Sequence, residues 1–155
     1  MRIKILICGL VCLFLFGCAT APKPRQITNA FPIEKPFDDV WQAVIESFAE
    51  LQLPILNMEK DSGLITTDWI DFTGQKNTDY CDCGGLGMNI EIKRIGRFNV
   101  FVKRVATSSC EIQINSMYEQ TVDETMSSRI YKRKCVSTGK LEADMYRLIK
   151  SKLDL

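Results

Sequence analysis

The chain has 155 residues, 20 basic and 19 acidic, and no histidine, for a formal net charge of +1. So even a balance excludes global steering toward nucleic acid. The absent histidine removes the commonest general base, every Ser-His or Cys-His arrangement and imidazole metal ligation.

Arg2 and Lys4 open a leader whose apolar run, Ile5 to Phe16, is 12 residues long. Crossing about 30 Å of hydrocarbon takes about 20 such residues, whereas about 7–15 is the length of a secretory h-region. Residues 1–17 are therefore predicted to be a signal peptide, and removing the two basic residues with it turns the net charge from +1 to −1. Leu15-Phe16-Gly17-Cys18 resembles the lipobox of bacterial lipoproteins. Cys18 supplies the thiol for a diacylglycerol thioether and Gly17 the small residue before the cleaved bond, although Phe16 is bulkier than usual there. The competing reading is an ordinary signal peptide cut after Ala19 or Ala21. Lipidation implies a membrane contact through the N-terminal lipid, stable because several acyl chains share one terminus. Ala19, not being Asp, resembles an outer-membrane sorting signal, so the expected location is the outer membrane with the domain in the periplasm.

Residues 18–35 contain Pro22, Pro24 and Pro32, lead into Pro36, and read as a tether. At about 3.1 Å per residue for extended proline-rich chain, it would reach roughly 50 Å. Residues 36–155 are enough for one domain with one core.

Phe37, Trp41, Val44, Phe48 and Leu51 recur at helical spacing, with Pro36 at the start, Asp38 and Asp39 near the positive end and Pro54 beyond the stop. They predict an amphipathic helix with Trp41 in the core. Residues 55–59 and 64–72 predict a hairpin around Lys60-Asp61-Ser62-Gly63. Residues 73–87 are polar and glycine-rich and read as a loop. Ile90 and Ile92 alternate with polar neighbours as a weak strand or extended lead-in, and Phe98, Val100 and Val102 as a firmer strand ending near Val105. Cys110, Ile112, Ile114, Ser116 and Tyr118 share one face of a half-buried strand. Residues 129–136 add another. From about Gly139, Leu141, Met145, Leu148, Ile149 and Leu153 mark a second helix, which Ser137 or Thr138 can cap. The expectation is an α+β two-layer domain, an antiparallel sheet of about four to five strands packed by two helices on one face.

Cys81, Cys83, Cys110 and Cys135 are disulfide candidates, because an even set of cysteines in an oxidising compartment is more often bridged than reduced. A direct Cys81–Cys83 bridge is strained, so each is expected to reach Cys110 or Cys135, with at least one bridge from the loop to Cys135. Cys110 as a buried free thiol stays open. A four-cysteine zinc site is the sharper alternative, but the spacing lacks paired CxxC knuckles and no metal is expected.

Carboxylates offer little catalytic geometry. Asp68 and Asp71 fall on opposite faces of a strand, and Asp123 and Glu124 sit in a polar stretch. Gly84, Gly85 and Gly87 lack the Lys-Ser or Lys-Thr of a phosphate loop. No catalytic residue, cofactor or nucleic-acid partner is expected. The basic run Arg129, Lys132, Arg133 and Lys134 suits anionic headgroups or lipopolysaccharide, but it also suits a solvated strand face.

The order of lipobox, proline-containing tether, Phe37-Asp38-Asp39-Val40-Trp41-Gln42-Ala43-Val44 and Gly63-Leu64-Ile65-Thr66-Thr67-Asp68-Trp69 resembles the BamC (NlpB) lipoproteins of the outer-membrane β-barrel assembly machinery. The resemblance covers about residues 31–72. It implies a helix-grip domain, outer-membrane assembly proteins as partners and a non-catalytic accessory role. The family has two such domains and a longer docking segment, and the Cys81-Asp82-Cys83 loop and Cys135 lie outside its pattern. A carrier of an apolar or lipid ligand is the alternative function.

Overall fold

The computed structural model describes residues 20–73 and 79–154, so the leader and the lipidation candidate Cys18 lie outside the described residues. In chain order the elements are β1 (Ala30–Ile33), α1 (Phe37–Glu50), β2 (Ile55–Glu59), β3 (Leu64–Thr67), β4 (Ile70–Asp71), β5 (Cys81–Asp82), β6 (Ile90–Ala106), β7 (Ser109–Glu124), β8 (Arg129–Ser137) and α2 (Lys140–Lys152). The domain is α+β, but its antiparallel sheet has eight strands rather than the four to five expected. None of the helices among the described residues is long and apolar enough to cross a membrane.

The extra strands arise because β6 and β7 are long enough to have different neighbours at their two ends. Toward the β6–β7 turn, β6 is flanked by β3, and β3 by β2, while Cys110–Gln113 of β7 pair with β1. Toward the other end, β4 pairs with β6, β8 with β7, and β5 with β8. The weak lead-in at Ile90 and the firmer strand at Phe98 are one continuous strand. Its polar middle is accommodated by partners: Glu91 takes two hydrogen bonds from Arg94, at 2.9 and 2.6 Å. Gly96 makes room for an aromatic ring from the next strand.

That ring belongs to Tyr118, which lies across the register from Gly96. A Cβ built on Gly96 would stand 2.6 Å from Tyr118 Cδ1 and 2.9 Å from a ring carbon of Phe72. Overpacking of this kind costs about 1–3 kcal/mol. Gly96→Ala is expected to lower the thermal midpoint accordingly, and an unchanged midpoint would mean that the Tyr118 ring has room to move.

Within the expected tether of residues 18–35, the described residues from Thr20 to Ile33 lie against the domain rather than free of it. Phe31 and Ile33 of β1 turn toward the helices, Phe31 stacking on Tyr146 of α2 at 4.2 Å between ring centroids. Pro32 is tolerated because an edge strand has no second ladder to feed. Before β1 the chain runs along the domain surface. The amide of Ile114 donates to Asn29 C=O (2.8 Å), Ile27 packs on Gly139, the amide of Lys23 donates to Asp82 (3.3 Å), and the amide of Gly85 donates to Thr20 C=O (3.0 Å) and Oγ1 (2.9 Å). Gly84, at φ +73°, is needed at that crossing, where a Cβ would fall 2.0 Å from the Thr20 carbonyl oxygen.

Both helices pack on one face of the sheet. Val40, Trp41, Val44 and Phe48 of α1 join Leu141, Met145 and Ile149 of α2 over Phe98, Val100, Val102, Ile112 and Ile114. Leu51, expected on the apolar stripe, is half exposed just past the helix end. Lys152 and Glu50 form an ion pair between the helix ends. The N-cap of α2 is Gly139, with no side-chain cap bond, rather than Ser137 or Thr138; these two accept instead from the amides of Gly139 (3.1 Å) and Lys140 (3.4 Å) in the turn leading into the helix. Glu142, missed by the hydrophobic pattern, is wholly buried and accepts from Ser116 Oγ at 2.5 Å and Ser137 Oγ at 2.9 Å.

Candidate functional site

The cysteine loop is the densest chemical feature. The β5–β8 ladder sets Cys81 opposite Ser137 and Asp82 opposite Val136, which brings Cys83 beside Cys135 to form a disulfide. Cys81 stays a thiol, its Sγ 3.8 Å from Cys83 Sγ, and all three sulfurs lie within 4.8 Å of one another. Cys110 is also a thiol, buried in the core. Cys135 is opposite Tyr118 on β7, eight positions from Cys110, which at about 3.3 Å per residue is roughly 26 Å along the strand. The four cysteines therefore do not converge, and a four-cysteine zinc site is geometrically excluded.

Burial pushes the Cys81 thiol up, against the opposing pull of Arg94, with Glu91 and Asp82 adding to the rise. Burial likewise raises Cys110. Thiolates, not thiols, exchange with disulfides or bind soft metals. The cluster is a Cys83–Cys135 bridge with the Cys81 sulfur held beside it.

The loop is held from below by a polar chain that the sequence did not reveal. Arg133 Nε donates to buried Gln120 Oε1 at 2.7 Å, and its two terminal nitrogens reach the carbonyls of Gly85 (3.2 Å) and Gly84 (3.4 Å). Gln120 donates in turn to Glu91. Arg133 thus leaves the basic run and turns inward, while Arg129, Lys132 and Lys134 are exposed. From above, Asp82 accepts from the Gly84 amide at 2.8 Å. That bond and the one from Lys23 hold its carboxyl below the ordinary range. Cys81 and Asp82, with Arg25, Asp79, Thr138 and Lys140, border an open depression of about 710 Å³. The Asp82 carboxylate there is engaged by the amides of Gly84 and Lys23, and Asp79 is exposed.

A second concavity, about 550 Å³, lies between α2 and the sheet, where Leu53, Ile70, Phe72, Leu141, Met145 and Leu148 make it mainly apolar. A third feature is a free edge. Among the described residues β2 pairs only with β3, and Ile55, Leu56 and Met58 are exposed along it.

The chain matches no family model and none of the curated proteins. The likeness to BamC thus rests on the residues named above. Of these, Phe37, Val40, Trp41, Ala43 and Val44 are buried on α1 and Ile65 is buried on β3. They build the core rather than a binding surface.

Proposed function

We propose that the chain is a lipid-anchored, non-catalytic binding domain of the bacterial envelope, an accessory of outer-membrane protein assembly located at the outer membrane with its domain in the periplasm. The observation that carries this reading is the open edge of β2. A strand edge with unpaired amides and carbonyls is a template for adding another strand, and Ile55, Leu56 and Met58 flank it with apolar surface. Clients of barrel assembly are extended segments of alternating polarity with unpaired strands. They match such an edge in backbone chemistry.

A photocrosslinking residue at Leu56 in the native envelope, with Cys18→Ala as the unanchored control, tests this. Barrel precursors or assembly components captured from position 56 of the anchored chain are the expected result. Capture only from other positions would discard the β2 edge, and no capture of such proteins anywhere would discard the assembly role. A second reading, a carrier of an apolar or lipid ligand, is favoured by the groove between α2 and the sheet. Lipid in an organic extract of the purified protein would support it.

A further inference from the structure

We propose that the tip formed by residues 86–92 and the β7–β8 turn is a membrane-contacting surface that rests at headgroup depth on an anionic bilayer, beside the lipid on Cys18. The inference rests on the lipoprotein reading and adds where the domain lies and which way up it stands.

Residues 18 and 20 are two positions apart, at most about 7 Å of extended chain. Thr20 is bound through two oxygens to the amide of Gly85. Three residues beyond Gly85, the carbonyl of Met88 accepts from Thr125 Oγ1 at 2.9 Å, and Met126 follows. A bilayer that holds Cys18 is therefore brought to this end of the sheet, because the segment that would otherwise act as a spacer is docked along the domain.

The surface presented there suits that neighbour. Met126 is 84% exposed, Met88 74%, Ile130 64% and Ile90 58%, the most exposed large apolar group among the described residues apart from Val105 and Leu56. Behind the Glu124–Arg129 pair at the turn, the register sets Ile90, Asp123 and Ile130 in one row across β6, β7 and β8, then Glu91, Val122 and Tyr131, then Lys93, Thr121 and Lys132. Exposed apolar side chains near the end of the sheet and lysines two rows back match an interface where methyl groups enter the acyl boundary and ammonium groups stay among phosphates. Asp123 in the Ile90 row and Glu124, opposite Arg129 beside the turn, keep the tip at headgroup level rather than in hydrocarbon. The β2 edge lies one strand beyond β3, which pairs with Asn99–Phe101 of β6, roughly 30 Å of strand away from Ile90, and so stands clear of the membrane.

The test uses the full chain purified with its native N-terminus and placed in phosphatidylethanolamine–phosphatidylglycerol vesicles with brominated acyl chains. Met126→Trp reports the tip, Leu56→Trp reports the β2 edge, and the native tryptophan emission is subtracted. Mass spectrometry of the N-terminal peptide reads the lipid on Cys18. The expected result is lipidated Cys18 with Met126→Trp quenched at least twofold more than Leu56→Trp. Lipidated Cys18 with equal quenching at the two positions overturns the membrane contact and leaves the anchor standing. An unmodified Cys18 overturns both.

Discussion

Trp41→Ala is expected to destabilise the domain by about 3–5 kcal/mol, the range for removing a large aromatic from a packed core. Trp41 is 4% exposed. It stacks on Phe37 at 5.9 Å between ring centroids, and Phe37 in turn carries the Arg104 guanidinium over its face at 3.4 Å. Truncation therefore opens a cavity at the start of α1 and loosens the ring that the cation covers. The midpoint of chemical denaturation measures the effect. Leu51→Ala, at a half-exposed position, is expected to shift it by less than about 1 kcal/mol. Near-wild-type stability of Trp41→Ala would remove Trp41 from the core.

The next largest effect is expected from the disulfide. Cys83 and Cys135 are 52 residues apart, and closing a loop of that length restricts the unfolded chain by about 4 kcal/mol. The third sulfur makes the two single variants unequal. In Cys83→Ala, Cys81 is close enough to take over the bond to Cys135 and close nearly the same loop. In Cys135→Ala only the short Cys81–Cys83 pairing remains, which closes almost nothing. Cys135→Ala should therefore lose most of the 4 kcal/mol and Cys83→Ala distinctly less, with a Cys81–Cys135 peptide in the non-reducing map. Equal losses would show that Cys81 cannot reach Cys135.

Regular periodicity made α1, α2, the β2–β3 hairpin and the alternation of β7 legible, since each pattern repeats over several turns or residues. Where the fold departs from expectation, the reason lies in long-range pairing. β1 is four residues long and contains Pro32. β4 and β5 are two-residue ladders recognisable only from the strands they meet. β6 looked broken at Lys93–Gly96, because the ring that Gly96 admits comes from β7. The same holds for the loop: Cys81, Cys83 and Cys135 were legible as bridge candidates. Arg133 read as part of a solvated basic run, and its inward turn to Gln120 and the Gly84 and Gly85 carbonyls needed the register of β8 on β7. The docking of residues 20–29 was hidden for a similar reason, as proline-rich composition describes the unbound chain and not the surface it lies on.

The pairing of β1 with Cys110–Gln113 also sets an order of events for a chain that emerges amino-terminus first. The strand made earliest has no partner until most of the polypeptide has followed, and contacts so distant in sequence form slowly because the intervening loop must close first. Ile33 lies directly opposite Cys110, so the docking of β1 covers the flank of the core where that thiol sits. Before then Cys110 can compete with Cys83 for Cys135. Closure of β1 thus protects the correct cross-link, and a substitution that weakens it, such as Phe31→Asp, would be felt as scrambled disulfides as well as lost stability.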